Sequence, residues 1–146
     1  MGQSLSQMYV HLTFSTKFRK NFINARWEEG MHSYMAGVLK NYESPALIIN
    51  SVPNHVHILF RLSKNYALSK IIEILKKDSS KFIKNIDYRL SNFSWQIGYA
   101  AFSVDNYRVD IVRNYIKNQK SHHKIVSYKD EVEEFIREYN PVFFWR

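Results

Sequence analysis

The chain is 146 residues long, 45% hydrophobic and 23% charged, with only four Gly and three Pro. That composition excludes a disordered or low-complexity polymer and suits one domain over residues 1–146. Cysteine is absent, which rules out disulfides, thiolate metal sites and a cysteine nucleophile; the formal charge of +8 points to a polyanionic partner, nucleic acid before an anionic membrane.

In chain order, "MYVHLTFST" (8–16) alternates and is rich in β-branched and aromatic residues, so it reads as a first strand. The basic stretch "KFRKNF" follows as a loop. Asn24 is placed to cap a helix through "ARWEEGMHSYMAGVLKNY", with Trp27, Met31, Tyr34, Met35 and Val38 at helical spacing. "PALIINSV" and "HVHILFRL" read as two strands of a hairpin around Pro53–Asn54. "ALSKIIEILKKDSSKFIKNI" (67–86) is a second helix with an apolar stripe of Leu68, Ile71, Ile72, Leu75, Phe82, Ile83 and Ile86. Residues 87–98, with Phe93 and Trp95, read as a loop, and "YAAFSV" as a fourth strand. Asp105 or Asn106 caps a third helix, "YRVDIVRNYIKNQKSHH", with Val109, Val112 and Ile116 on its apolar face. A last helix covers "YKDEVEEFIREYN", and "PVFFWR" is an aromatic tail.

The order β-α-β-β-α-β followed by two helices predicts an α+β, ferredoxin-like (split βαβ) antiparallel sheet. Two helices cover one of its faces, and the other face is free for a site. The start lacks the basic and apolar regions of a signal peptide, and no apolar run approaches the ~20 residues of a membrane helix. The expectation is a soluble cytoplasmic protein.

Alternation along "PNHVHILF" sends Val56, Ile58 and Phe60 to the core and His55, His57, Leu59 and Arg61 to the opposite face. The two imidazoles start ~6.5 Å apart at Cα, close enough to lean onto one metal ion. A pair of core or surface histidines without a ligand is the other reading of the same spacing. Tyr115 and Gln119 are four apart on the third helix, so they share a face. A tyrosine there offers a hydroxyl nucleophile and a glutamine offers a neutral oxygen ligand. Read alone, they are a half-buried aromatic and a surface amide.

"PNHVHILF" followed by "YIKNQKSHH" resembles the single-tyrosine HUH (His–hydrophobe–His) transposases of bacterial and archaeal insertion sequences, the IS200-like family. REP-associated tyrosine transposases are close relatives. "YVHLTFSTKFR" and "WQIGYAAFSV" agree with it, and the resemblance runs from about residue 8 to residue 140. It implies cleavage and rejoining of single-stranded DNA with hairpin ends, by dimers whose tyrosine helix can complete the partner's site. Under it His55, His57 and Gln119 are the metal ligands, for Mg²⁺ or a more tightly held Mn²⁺, and Tyr115 is the catalytic nucleophile. Many members carry Asp where this chain has Asn54, to which no metal role is given.

The implied chemistry is a transesterification. The Tyr115 hydroxyl attacks a scissile phosphate, the 3′-oxygen leaves, and the 5′-phosphate stays on the tyrosine until a free 3′-OH displaces it. No ATP is needed, and the sequence holds no P-loop. At a reference pKa of ~10, roughly one tyrosine in a thousand is phenolate at pH 7, so charge stabilisation by a divalent metal has a definite use. Lys17, Arg19, Lys20, Lys76, Lys77 and Lys120 are candidates for DNA phosphates, and Phe18, Phe22 and Trp95 for stacking on unpaired bases. Two other readings stay open: a REP-like single-strand endonuclease that does not move its own gene, and a non-catalytic nucleic-acid-binding module on the same fold.

Overall fold

A computed structural model describes residues 2–122 and 126–139, so the aromatic tail and His123 lie outside the described residues. The strands are β1 (Tyr9–Ser15), β2 (Ala46–Val52), β3 (His55–Arg61) and β4 (Ala100–Val104). The helices are α1 (Glu28–Asn41), α2 (Leu68–Lys84), α3 (Val109–Lys117), α4 (Gln119–His122) and α5 (Tyr128–Tyr139). The strands form one antiparallel sheet in the order β2-β3-β1-β4, with β1 paired to both β3 and β4. This is the ferredoxin-like arrangement that the element order predicts.

Alternation divides the sheet as expected. Val10, Leu12 and Phe14 of β1 and Val56, Ile58 and Phe60 of β3 face a core shared with Met31, Met35 and Leu39 of α1 and Ile71, Ile72, Leu75 and Ile83 of α2. On the other face, Leu59 and Val104 pack against Val112 and Ile116 of α3. Ala100 and Phe102 meet Tyr128, Val132 and Ile136 of α5. The face that α1 and α2 leave uncovered is therefore roofed by α3 and α5, and polar groups between them are removed from water.

Several local expectations change. Neither Asp105 nor Asn106 caps α3, which follows a short 3-10 turn at Asn106–Arg108 and has Arg108 at its N-cap with no side-chain cap hydrogen bond. Asn24 does not cap α1. Its Oδ1 accepts from the Arg26 N–H at 3.0 Å and its carbonyl accepts from Glu28 N at 3.1 Å, so residues 24–27 form a turn and the helix begins later. The third helix is interrupted at Asn118 (φ −96°, ψ 16°). There the Asn50 amide donates to the Ile116 and Lys117 carbonyls at 2.9 and 3.2 Å, satisfying the end of α3 from outside. Trp95 is buried, its indole N–H donates to Ser79 Oγ at 3.0 Å, and its ring packs edge-on against Phe14 and Phe93, so it is a core residue and not a stacking platform. Phe22 likewise packs against the main core. Among the described residues no helix is long and apolar enough to cross a membrane.

Candidate active site

The site forms where β3, α3, α4 and α5 meet on the second face. His55 and His57 are both fully buried, with ring centroids 5.2 Å apart. Their orientation is fixed from behind. His55 Nδ1 donates to Asn54 Oδ1 at 2.7 Å, because an amide oxygen only accepts, and this contact sets the orientation of the ring. His57 Nδ1 lies 2.8 Å from His11 Nε2 of β1. Burial, then the neighbouring His57, lower the His11 pKa to about 3, so His11 is neutral at physiological pH. Both outward-facing Nε2 atoms aim at one oxygen: Glu131 Oε1 is 2.7 Å from His57 Nε2 and 3.5 Å from His55 Nε2.

Glu131 is the residue that sequence reading missed. It is 1% exposed on α5, and its other oxygen gathers the remaining groups. Tyr115 Oη donates to Oε2, Gln119 Nε2 donates to it at 3.1 Å, and His122 Nε2 lies 3.4 Å away. One buried carboxylate thus touches His55, His57, Tyr115 and Gln119, the four site residues expected from sequence. A signal for it existed: in "YKDEVEEFIREY", Glu131 sits three after Tyr128 and four before Phe135, so it is an acid on the apolar stripe. His11 carried a similar signal, as the histidine that alternates with Val10 and Leu12.

His55, His57 and Glu131 offer ligand atoms that all lie within 4.8 Å of one another, a group able to hold a metal ion. The donor set suits a first-row divalent ion, with two oriented imidazoles and a carboxylate. Gln119 adds a further observation: its Oε1 is buried with no hydrogen-bond partner, facing an unmet need that a cation would satisfy. Tyr115 is half-buried; burial first, and then the adjoining Glu131 carboxylate, raise its pKa, so it stands as a phenol.

The basic residues separate. Lys17, Arg19 and Lys20 are exposed on the turn after β1, and Lys77 is exposed on α2. Lys76 is engaged, its Nζ donating to the Gln96 and Gly98 carbonyls at 2.7 and 2.8 Å. Lys120 pairs with Glu28 at 2.6 Å and donates to Asn50 Oδ1 and the Ser51 carbonyl, which ties α4 to β2 and α1.

Residues 4–119 match the family model described as "Transposase IS200 like". No curated protein matches the sequence. A protein of Deinococcus radiodurans R1 assigned as a transposase has a similar structure, with a TM-score of 0.64 at 17% identity over 82% of this chain and 96% of that one. A REP-associated tyrosine transposase solved with a REP hairpin is also similar. Its TM-score is 0.58 at 16% identity over 86% of this chain and 76% of that one. The matched segment ends at Gln119, so Glu131 and His122 lie beyond it.

Proposed function

Because the chain belongs to the IS200-like transposase family, we propose that it cleaves and rejoins single-stranded DNA through a covalent 5′-phosphotyrosine on Tyr115, with His55, His57 and Gln119 as metal ligands. The observation that carries this reading is the convergence of the Tyr115 hydroxyl and both imidazole Nε2 atoms on Glu131. A nucleophile and a metal-binding pair serve one phosphate only if they meet at one point.

The chain's own residues divide the work. The Tyr115 oxygen forms the new bond to phosphorus while the DNA 3′-oxygen leaves. Glu131 Oε2, which already accepts the tyrosine hydrogen bond, sits where a base would take the proton. Asn54 and His11 hold the two imidazoles in the orientation that a ligand needs. When bound, a divalent cation such as Mg²⁺ or Mn²⁺ supplies Lewis-acid stabilisation of charge on the phosphate. Gln119 is the third ligand in this reading and Glu131 its competitor, and calorimetric titration with Mn²⁺ separates them: Gln119→Ala should weaken binding more than Glu131→Gln, and the reverse order gives the place to Glu131.

The test is a covalent adduct. Wild-type protein, Mn²⁺ or Mg²⁺ and single-stranded oligonucleotides from the DNA flanking the gene should give a protein–DNA species that survives denaturation. Tyr115→Phe should give none, and equal adduct from that variant refutes the nucleophile assignment. Free 5′-phosphate without adduct would mean hydrolysis instead. One chain supplies every group named here. In the alternative, a homodimer with exchanged tyrosine helices, a mixture of Tyr115→Phe and His55→Ala subunits recovers cleavage.

A further inference from the structure

Two cavities flank the histidine centre, and they differ in charge. The one on the Tyr115 side, about 220 Å³, is lined by Glu131, Glu134 and Glu138, with Arg108 paired to Glu138 at 3.0 Å. The other, about 360 Å³, lies between the turn after β1 and the Gln96–Tyr99 segment, and none of its described lining residues is acidic. It is within the size range of small-ligand clefts, about 300–1,000 Å³. Tyr128 lines it, and the Tyr128 and His55 ring centroids are 4.4 Å apart. The cavity is thus one aromatic ring away from the candidate metal ligands. Ser15, also on the wall, is the strand partner of His55.

This cavity is held in shape by specific backbone and side-chain contacts. Phe18 (φ 56°, ψ 19°) and Arg19 (φ 55°) are consecutive non-glycine residues in the left-handed region. The Gln96 side-chain oxygen holds the Phe18 N–H at 3.0 Å, and Gln96 N donates to the Ser15 carbonyl at 2.8 Å. Lys76 reaches from α2 to clamp the Gln96 and Gly98 carbonyls, fixing the far wall. The result displays apolar groups to water: Phe18 is 73% exposed and Ile97 95%. Cations accompany them, Lys17 Nζ 5.4 Å from the Phe18 ring centre and Arg19 5.8 Å from that of Tyr128.

An exposed ring, a second apolar side chain and flanking cations are what an unpaired nucleotide needs: a face to stack on and charge for its phosphate. We propose that this cavity is a nucleobase pocket, which takes one unpaired base of the DNA strand next to the phosphate at the histidine centre, stacked on Phe18. The inference rests on the single-stranded DNA reading above and names where that strand lies: on the basic side of the centre, away from Glu134 and Glu138.

The test uses Tyr115→Phe protein, which leaves DNA intact, and an oligothymidylate carrying one 2-aminopurine. Stacking quenches 2-aminopurine, so binding should lower its fluorescence. Adding Phe18→Ala should remove the quench and weaken binding about tenfold, while Phe18→Tyr should keep both. Arg19→Gln should reduce the slope of log affinity against log salt by about one. Affinity and quench unchanged in Phe18→Ala overturn the pocket, as does tighter binding of a matched oligouridylate. Adduct formation by the wild type is read separately. Adduct without quench rejects the pocket alone, and quench without adduct keeps the pocket and rejects the transesterification.

Discussion

The two faces of this sheet are made by the same strands and behave as different materials. Toward α1 and α2, β1 and β3 present Val10, Leu12, Phe14, Val56, Ile58 and Phe60 to a dry apolar core. One residue out of phase they present His11, Thr13, Ser15, His55 and His57, all buried as well. Apolar side chains tolerate burial wherever they touch their neighbours. Polar ones tolerate it only where each finds a partner, so the second face is a hydrogen-bonded lattice whose parts are held at fixed positions. A reaction centre needs that fixity, and the first face has nothing to offer it.

The contrast can be broken from the apolar side first. Leu75→Ala, at a fully buried position, should cost about 2–5 kcal/mol in urea unfolding. Mn²⁺ affinity of the protein that remains folded should not change. Failure of either half would mean that the two faces are not independent. Metal addition tests the other face. Mn²⁺ at a hundred times its Kd should stabilise the wild type by about 2.7 kcal/mol, seen as a rise in Tm, and should leave His57→Ala unmoved. Next comes the support behind the ligands. Asn54→Ala should weaken Mn²⁺ binding by about 10- to 100-fold in a calorimetric titration, and Asn54→Asp, which keeps the acceptor, should not. The smallest effect belongs to Lys77, exposed and away from both faces: Lys77→Ala should change stability by less than about 0.5 kcal/mol. A larger loss of DNA affinity in a filter-binding assay would show that α2 lies along the strand.

Several elements were legible because their signals are local. The apolar stripe of 67–86 gave α2, and the Pro53–Asn54 break gave the β2–β3 hairpin. Lys76 was not legible in its role: one of several lysines on α2, it differs only by lying opposite the Gln96 and Gly98 carbonyls. The same holds for Lys120, whose pairing with Glu28 no charge count reveals.

Sequence by itself determined which strand faces carry histidines and that Tyr115 and Gln119 share a helix face, because periodicity is a property of neighbouring residues, and its motifs resemble those of the IS200-like transposases, whose family model matches residues 4–119. Only the tertiary structure decided that α5 would close over the second face and bring Glu131 to His55, His57, Tyr115 and Gln119. A helix of alternating acids, "YKDEVEEFIREY", looks solvated until its Tyr128, Val132 and Ile136 stripe finds Ala100 and Phe102 to cover. Burying that stripe carries one carboxylate inward. It is kept there by a tyrosine, an amide and three imidazoles drawn from β3, α3 and α4, contacts that no spacing along the chain encodes.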